Sequence, residues 1–394
     1  MSLKNENPFI LNKNAKYTAC VGINGGTDDK MIRKGYKQAV SLLMRESMKM
    51  IDIDLYVYPL IYCAGHSIEL GLKIIIRDII KIYNIKNIMN SDIEETYRKI
   101  NTHNILQLHN NIKKIGTIDS RILKKYNGVE GYLKDYFKDP EGDAFKYESS
   151  SAGIAHMQSK SIQHINLGIL IKRFEVMNKY LDSTYHHLEE LKIEYECQTF
   201  TKSLSRNNIH DIAKQLPKHS EWTLESFKDM KNSIKEEYKI GTKELSDAIN
   251  IIKSHYEFCN LIGLEEKYGN LSNHVILEYK NLVTKIQEFD ESSMSRNKSY
   301  NNTFNIINKR SELSKKVTNT WDMHTINVIL ALLDVGKFSY YYCEDLDKLY
   351  KYMNDSKYDR SWAIEKIGRP KSMEYVQNGM KKCGQITYLK LLNS

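Results

Sequence analysis

At 394 residues the chain has room for two or three domains with cores of their own, and its 41% hydrophobic and 27% charged residues are those of an ordinary folded protein. Five prolines and 19 glycines are too few to interrupt a chain this long often, so long helices are expected. The net charge of +9 is spread about evenly over both halves and suits a nucleic-acid partner, but a composition rich in Lys, Ile, Asn and Tyr accounts for it equally well.

The six cysteines, at 20, 63, 197, 259, 343 and 383, have neither zinc-knuckle nor redox-pair spacing. Reduced thiols and a cytoplasmic location are expected. The polar N-terminus has no signal-peptide core. The longest purely apolar run, LYVYPLIYCAG, is well short of the ~20 residues that span a bilayer, so no membrane partner is expected.

Residues 1–30 read as an irregular segment. YTACVGINGG is compatible with a short strand ending in a glycine turn, and GINGGT lacks the spacing of a phosphate loop. Over residues 31–50, Ala39, Leu42, Leu43 and Met50 share a side and predict an amphipathic helix. A second helix is expected over 59–83, with Pro59 in its first turn. It is apolar nearly all round and therefore central. His66, Glu69, Lys73 and Arg77 interrupt it at offsets of three, four and four, which puts them on one face. Such a row is either a satisfied ladder that fixes packing or a polar seam that opens onto a site.

A further helix ends near residue 101. Thr102 then caps a new helix with Ile105, Leu106 and Leu108 on its apolar side, which makes His103 a first-turn residue. DPEGDAFKYESSSAG reads as a turn and a short strand, with Phe145 and Tyr147 alternating with charge. A long helix follows, about 163–196. Periodicity fades over 198–220, which is read as a linker. Residues 221–394 form a second helical domain, with two helices over 226–263, a Ser/Asn-rich loop around 289–302, a buried helix WDMHTINVILALLDVG ended by a glycine cap, and two short helices around Gly368. The fold class expected is all-α.

AGHSIELGLKIII (64–76), followed about 30 residues on by THNILQLHNNI (102–112), resembles the HEPN superfamily of small helical domains. There an acid-x-x-x-Lys pattern lies within an apolar helix, matched here by Glu69 and Lys73. A helix opening on a small residue and His follows, matched by Thr102 to Leu108. The resemblance covers roughly residues 30–197, which sets the first domain at 31–197 with a small β element. The second half resembles no named family.

The resemblance implies a dimer that cleaves RNA without metal, in a bacterial defence or toxin system, at an Arg-x4–6-His motif. Arg98 and His103 have that spacing. They imply catalysis, with His66, Glu69, Lys73 and Arg77 supporting. The residue types suit the chemistry: His exchanges protons near neutral pH, and Arg offers a permanently charged fork to phosphate. Lys99 follows Arg98 where the family often has Asn, Asp or His, and the pair straddles a break between helices. The alternative is a catalytically silent module that binds a nucleotide, nucleic acid or a partner protein, with the C-terminal domain as the protein-binding part. Neither cofactor nor metal is expected. His186-His187 with Glu189-Glu190, and the acids Asp139, Glu141 and Asp143, read as solvated faces and turns.

Overall fold

The computed structural model describes residues 9, 18–49, 53–150, 152–294, 308–313, 315–316, 319–355, 360–369 and 371–394. Most of the Ser/Asn-rich loop and the start of the expected N-terminal strand lie outside the described residues. The chain is mostly helical and divides into two compact units, Met1–Lys192 and Ile193–Ser394. Among the described residues there is no sheet. The expected β element is reduced to one antiparallel bridge between Ser149 and Ala155. Residues 144–146 form turns because the Asp139 carboxylate accepts from the backbone N–H groups of Asp143 and Ala144, drawing the chain back on itself.

The first unit is built on α1 (Asp29–Ser47), α2 (Asp54–Ile85), α3 (Ser91–Arg98), α4 (Ile105–Ile115), α5 (Ser120–Tyr126) and α6 (Leu167–Glu196). Asp28, Asn90, Asn104 and Asp119 cap α1, α3, α4 and α5 by accepting from first-turn N–H groups. The cap of α4 is thus Asn104 and not Thr102, whose hydroxyl instead accepts from the Asn104 N–H. His103 therefore lies before the helix rather than in its first turn.

α2 begins a turn earlier than expected, so Pro59 sits inside it at the sixth position, leaving one early carbonyl without its helical donor. Its middle, Ser67 to Ile76, is buried on all sides, and it is the core of the unit. By length and composition it could cross a membrane, but 72% of its apolar window is buried inside the protein. α1 packs along it with Val40 buried and Ala39 and Leu43 half-buried, while Leu42 is 50% exposed, so the apolar side of α1 is turned somewhat from the one expected; Met50 lies outside the described residues. The cause is electrostatic. Arg33 of α1 is buried and reaches α6, donating to Asp182 at 2.5 Å and Asn178 at 2.7 Å, and Lys37 joins Asp182 at 2.6 Å.

The second unit contains α7 (Arg206–Gln215), α8 (Glu225–Tyr238), α9 (Thr242–Ser254), α10 (Asn273–Met294), α11 (Met323–Lys337), α12 (Asp345–Asp355), α13 (Arg360–Ile367), α14 (Ser372–Lys382) and α15 (Ile386–Asn393). α7 falls in the segment 198–220 read as a linker. Its Ile209, Ile212 and Ala213 are fully buried in a core shared with α8 and α9, and Ser205 and Asn208 close a capping box at its start. Their short, polar-flanked pattern hides an element whose apolar side is only three residues wide.

α11 runs to Lys337, so Gly336 lies within it and does not cap it. A Cβ at Gly336 would overlap the Tyr375 carbonyl and the Gly379 N–H of α14. One at Gly379 would overlap the Leu332 carbonyl. The two glycines let the backbones of α11 and α14 touch, which no larger residue permits.

Candidate functional site

In the first unit a cavity of about 730 Å³ opens between the face of α2, the segment before α4, the turns at 134–146, the segment 160–166 and the start of α6. The volume is that of a nucleotide-sized ligand site. α2 contributes Tyr62, His66 and Glu69, placed on one side by their offsets of four and three. The segment before α4 contributes His103, and Gly142 packs directly on that side chain.

Glu69 is the hub. Its side chain is only 8% exposed. One oxygen, Oε1, accepts from Lys73 Nζ at 2.7 Å. The other, Oε2, lies 3.2 Å from His103 Nδ1 and 3.6 Å from His66 Nδ1. Burial opposes ionisation of Glu69. Hydrogen bonds from Lys73 and His103, the adjacent His66 ring and the charge of Lys73 outweigh it and hold the carboxyl at about 2. It is a fixed anion at neutral pH. Facing an anion, each Nδ1 carries a proton, which leaves the lone pair of a neutral ring on Nε2. Two imidazoles set this way beside one carboxylate can take up and release protons at Nε2. His103 is 58% exposed in its side chain and His66 25%, so both are reachable.

The rest of the lining mixes basic and apolar side chains with the carboxylates of Asp135 and Asp139. Lys138, Lys146, Lys160 and Arg173 reach the cavity, and Phe145 and Tyr62 form part of its apolar wall. Arg173 is held by Asp135 at 2.6 Å. The Lys146 ammonium lies 5.3 Å from the centre of the Tyr62 ring.

The residues singled out from sequence therefore separate. His66, Glu69 and His103 line the cavity, and Lys73 braces Glu69 from behind. Arg77 turns to α1, where it pairs with Asp29. Arg98, the last residue of α3, is 73% exposed, lies 3.8 Å from Glu94 and does not line the cavity. Residues 99–102 separate it from the position His103 takes up. The lysines and Phe145 were missed because they come from turns about 50 to 75 residues beyond α2. Tyr62 had a signal: it stands one turn before His66 on the same face.

The second unit holds a buried polar network that sequence spacing did not reveal. Arg206 donates to both oxygens of Glu344, at 2.7 and 3.1 Å, and to Glu257 at 2.5 Å. His255 Nε2 lies 2.9 Å from Glu344, and the Cys343 thiol donates to Glu344 at 3.2 Å. His255, Cys343 and Glu344 have the donor types of a zinc site. The hydrogen bonding assigns them otherwise. The Phe258 N–H donates to His255 Nδ1, so the ring proton sits on Nε2 and points at Glu344, where a metal would need a lone pair. Burial also pushes the Cys343 thiol well above its ordinary range. The network is an ion-pair brace.

No protein-family model matches this chain, no curated protein resembles it, and no solved structure matches its fold.

Proposed function

We propose that the first unit binds RNA in the cavity around Glu69 and cleaves it without a metal ion, as an endoribonuclease of the HEPN-like kind. The observation that carries this reading is the pair of imidazoles, His66 and His103, oriented by one buried carboxylate at the edge of a basic, nucleotide-sized cavity. The exposed His103 Nε2 takes the proton of a ribose 2′-hydroxyl. The 2′-oxygen then forms a bond to phosphorus, and the bond from phosphorus to the 5′-oxygen breaks. His66, protonated, returns a proton to the departing 5′-oxygen. The products are a 2′,3′-cyclic phosphate and a 5′-hydroxyl. The lysines at the rim stabilise the negative charge that builds on phosphorus.

Lys73 and Glu69 position the imidazoles and do not touch the substrate. In this reading Arg98, exposed and outside the cavity, takes no part in the step.

The test is cleavage of total RNA and tRNA by the purified chain in the presence of EDTA. His103→Ala is expected to lower the rate by at least 100-fold, in line with loss of a proton-transfer group. Arg98→Ala is expected to change it less than threefold. Cleavage products that end in 3′-phosphate with no cyclic intermediate, or equal rates for wild type and His103→Ala, reject the assignment. No cleavage by any of the three leaves a binding module as the better description of the unit.

A further inference from the structure

A row of rings runs along α2 toward the imidazole pair. Tyr58, Tyr62 and His66 are spaced by four residues, about one helical turn and ~6 Å of rise per step, on one face. The Tyr62 and His66 rings lie 6.1 Å apart with planes within 9° of parallel. Phe145, from the turn that follows residue 139, stands 6.2 Å from Tyr58. Its neighbour Lys146 places its ammonium over Tyr62. Rings that served packing alone would be covered. Tyr58 is 44% exposed, and Tyr62 and Phe145 line the cavity.

Resting on the reading of this cavity as an RNA site, we propose that Tyr58, Tyr62 and Phe145 form a stacking track for single-stranded RNA, along which unpaired bases run toward His66 and His103. An aromatic face accepts any base that has an open face of its own, and a cation beside it takes the phosphate between neighbouring bases. Lys146, over the Tyr62 ring and 3.4 Å from Asp143, and Lys138 both line the cavity. Bases inside a duplex stack on one another and offer no free face, so helical RNA is excluded. The track accordingly selects strand state and not base identity. It differs from the cleavage step in kind, since it needs neither imidazole to exchange a proton.

The experiment uses the full chain and a fluorescein-labelled 2′-O-methyl decamer of uridine, which binds but has no free 2′-hydroxyl to attack. A 2′-O-methyl hairpin with a ten-base-pair stem is the comparison. Fluorescence anisotropy is expected to give at least tenfold tighter binding of the decamer than of the hairpin. Tyr62→Ala and Tyr58→Ala each weaken decamer binding by about 5- to 100-fold, the range of a lost base stack. Tyr62→Phe stays within threefold of wild type, because the ring face is kept. Lys146→Ala flattens the dependence of log affinity on log salt by about 0.7, one phosphate contact of a single strand.

Tyr58 is exposed, so its replacement folds, and far-UV circular dichroism controls for Tyr62→Ala. Equal affinity for decamer and hairpin overturns the proposal. So does undiminished decamer binding by both tyrosine variants, or no decamer binding by the wild type. The outcomes separate the two readings. Tyrosine-dependent binding with no cleavage of ordinary RNA retires the ribonuclease and keeps the track. Cleavage that is indifferent to both tyrosines does the reverse.

Discussion

Replacing Glu69 by Gln tests the hub of the cavity through its dependence on pH. Glu69 titrates at about 2 in the folded chain against an ordinary 4.5. The group is almost fully buried, so solvent screening takes little from the interaction. At 1.36 kcal/mol per tenfold change, its ionised form contributes about 3 kcal/mol at neutral pH. The folded value is the lower one. The contribution is therefore complete above about pH 4.5 and lost as the pH falls toward 2. Between pH 5.5 and pH 3 about 2 kcal/mol of it disappears.

Glu69→Gln removes that dependence and leaves the buried Lys73 ammonium without its anion, which costs about 3–5 kcal/mol at pH 7. Urea unfolding followed by far-UV circular dichroism at pH 7, 5.5, 4.5, 3.5 and 3 measures the difference between the two proteins. All three tryptophans, Trp222, Trp321 and Trp362, lie in the second unit, so their fluorescence monitors a region the substitution does not touch. The gap between wild type and variant should narrow by about 2 kcal/mol from pH 5.5 to pH 3. A gap that stays constant over that range, or a variant as stable as wild type at pH 7, refutes the account of Glu69 as a buried, shared anion.

Gly336→Ala and Gly379→Ala each force a methyl group into a facing backbone. Either should destabilise the second unit by about 3 kcal/mol, the upper end for overpacking, because the clash is with backbone, read as an earlier tryptophan-fluorescence transition in urea. Arg206→Ala strips a buried Glu344 of its bidentate partner and should cost about 3–5 kcal/mol in the same assay, and Arg206→Lys should recover less than half of it, because one ammonium cannot span both oxygens and Glu257. Zinc or EDTA should leave that transition where it is. Stabilisation by stoichiometric zinc would show that His255 Nε2 is free to ligate, against the tautomer set by Phe258.

What could be read from the sequence was local. The apolar run of α2 and the pairing of Glu69 with Lys73 both follow from helical periodicity, since residues four apart on a helix meet. The helical class followed from the scarcity of breakers. Contacts across longer separations were not legible. Glu69 and His103 are 34 residues apart, and their meeting depends on how α4 packs against α2. Arg98 and His103 are close in sequence, yet the break between α3 and α4 sends one to solvent and the other to the cavity. Gly336 looked like a helix end because glycine is common there. Its role lies in a partner helix nearly 40 residues on, which periodicity does not address. The rotation of α1 has the same origin: Arg33, polar by type, is held inside by Asp182 and Asn178.

The burial of α2 has a consequence for the chain while it is being made. Its apolar middle is complete once residue 85 has emerged, and α1, which precedes it, is already available to cover one side. α4 follows within about 30 residues. The anchoring partners of α1 and α2 on α6, Asp182 and Lys192, are about 100 residues away. At ~5–20 residues per second, the ribosome takes on the order of 5–20 s to deliver them. For that interval a helix with the length and greasiness of a membrane anchor stands partly bare. Pairing of α1 with α2, both complete by residue 85, covers one side of that apolar surface before α6 arrives.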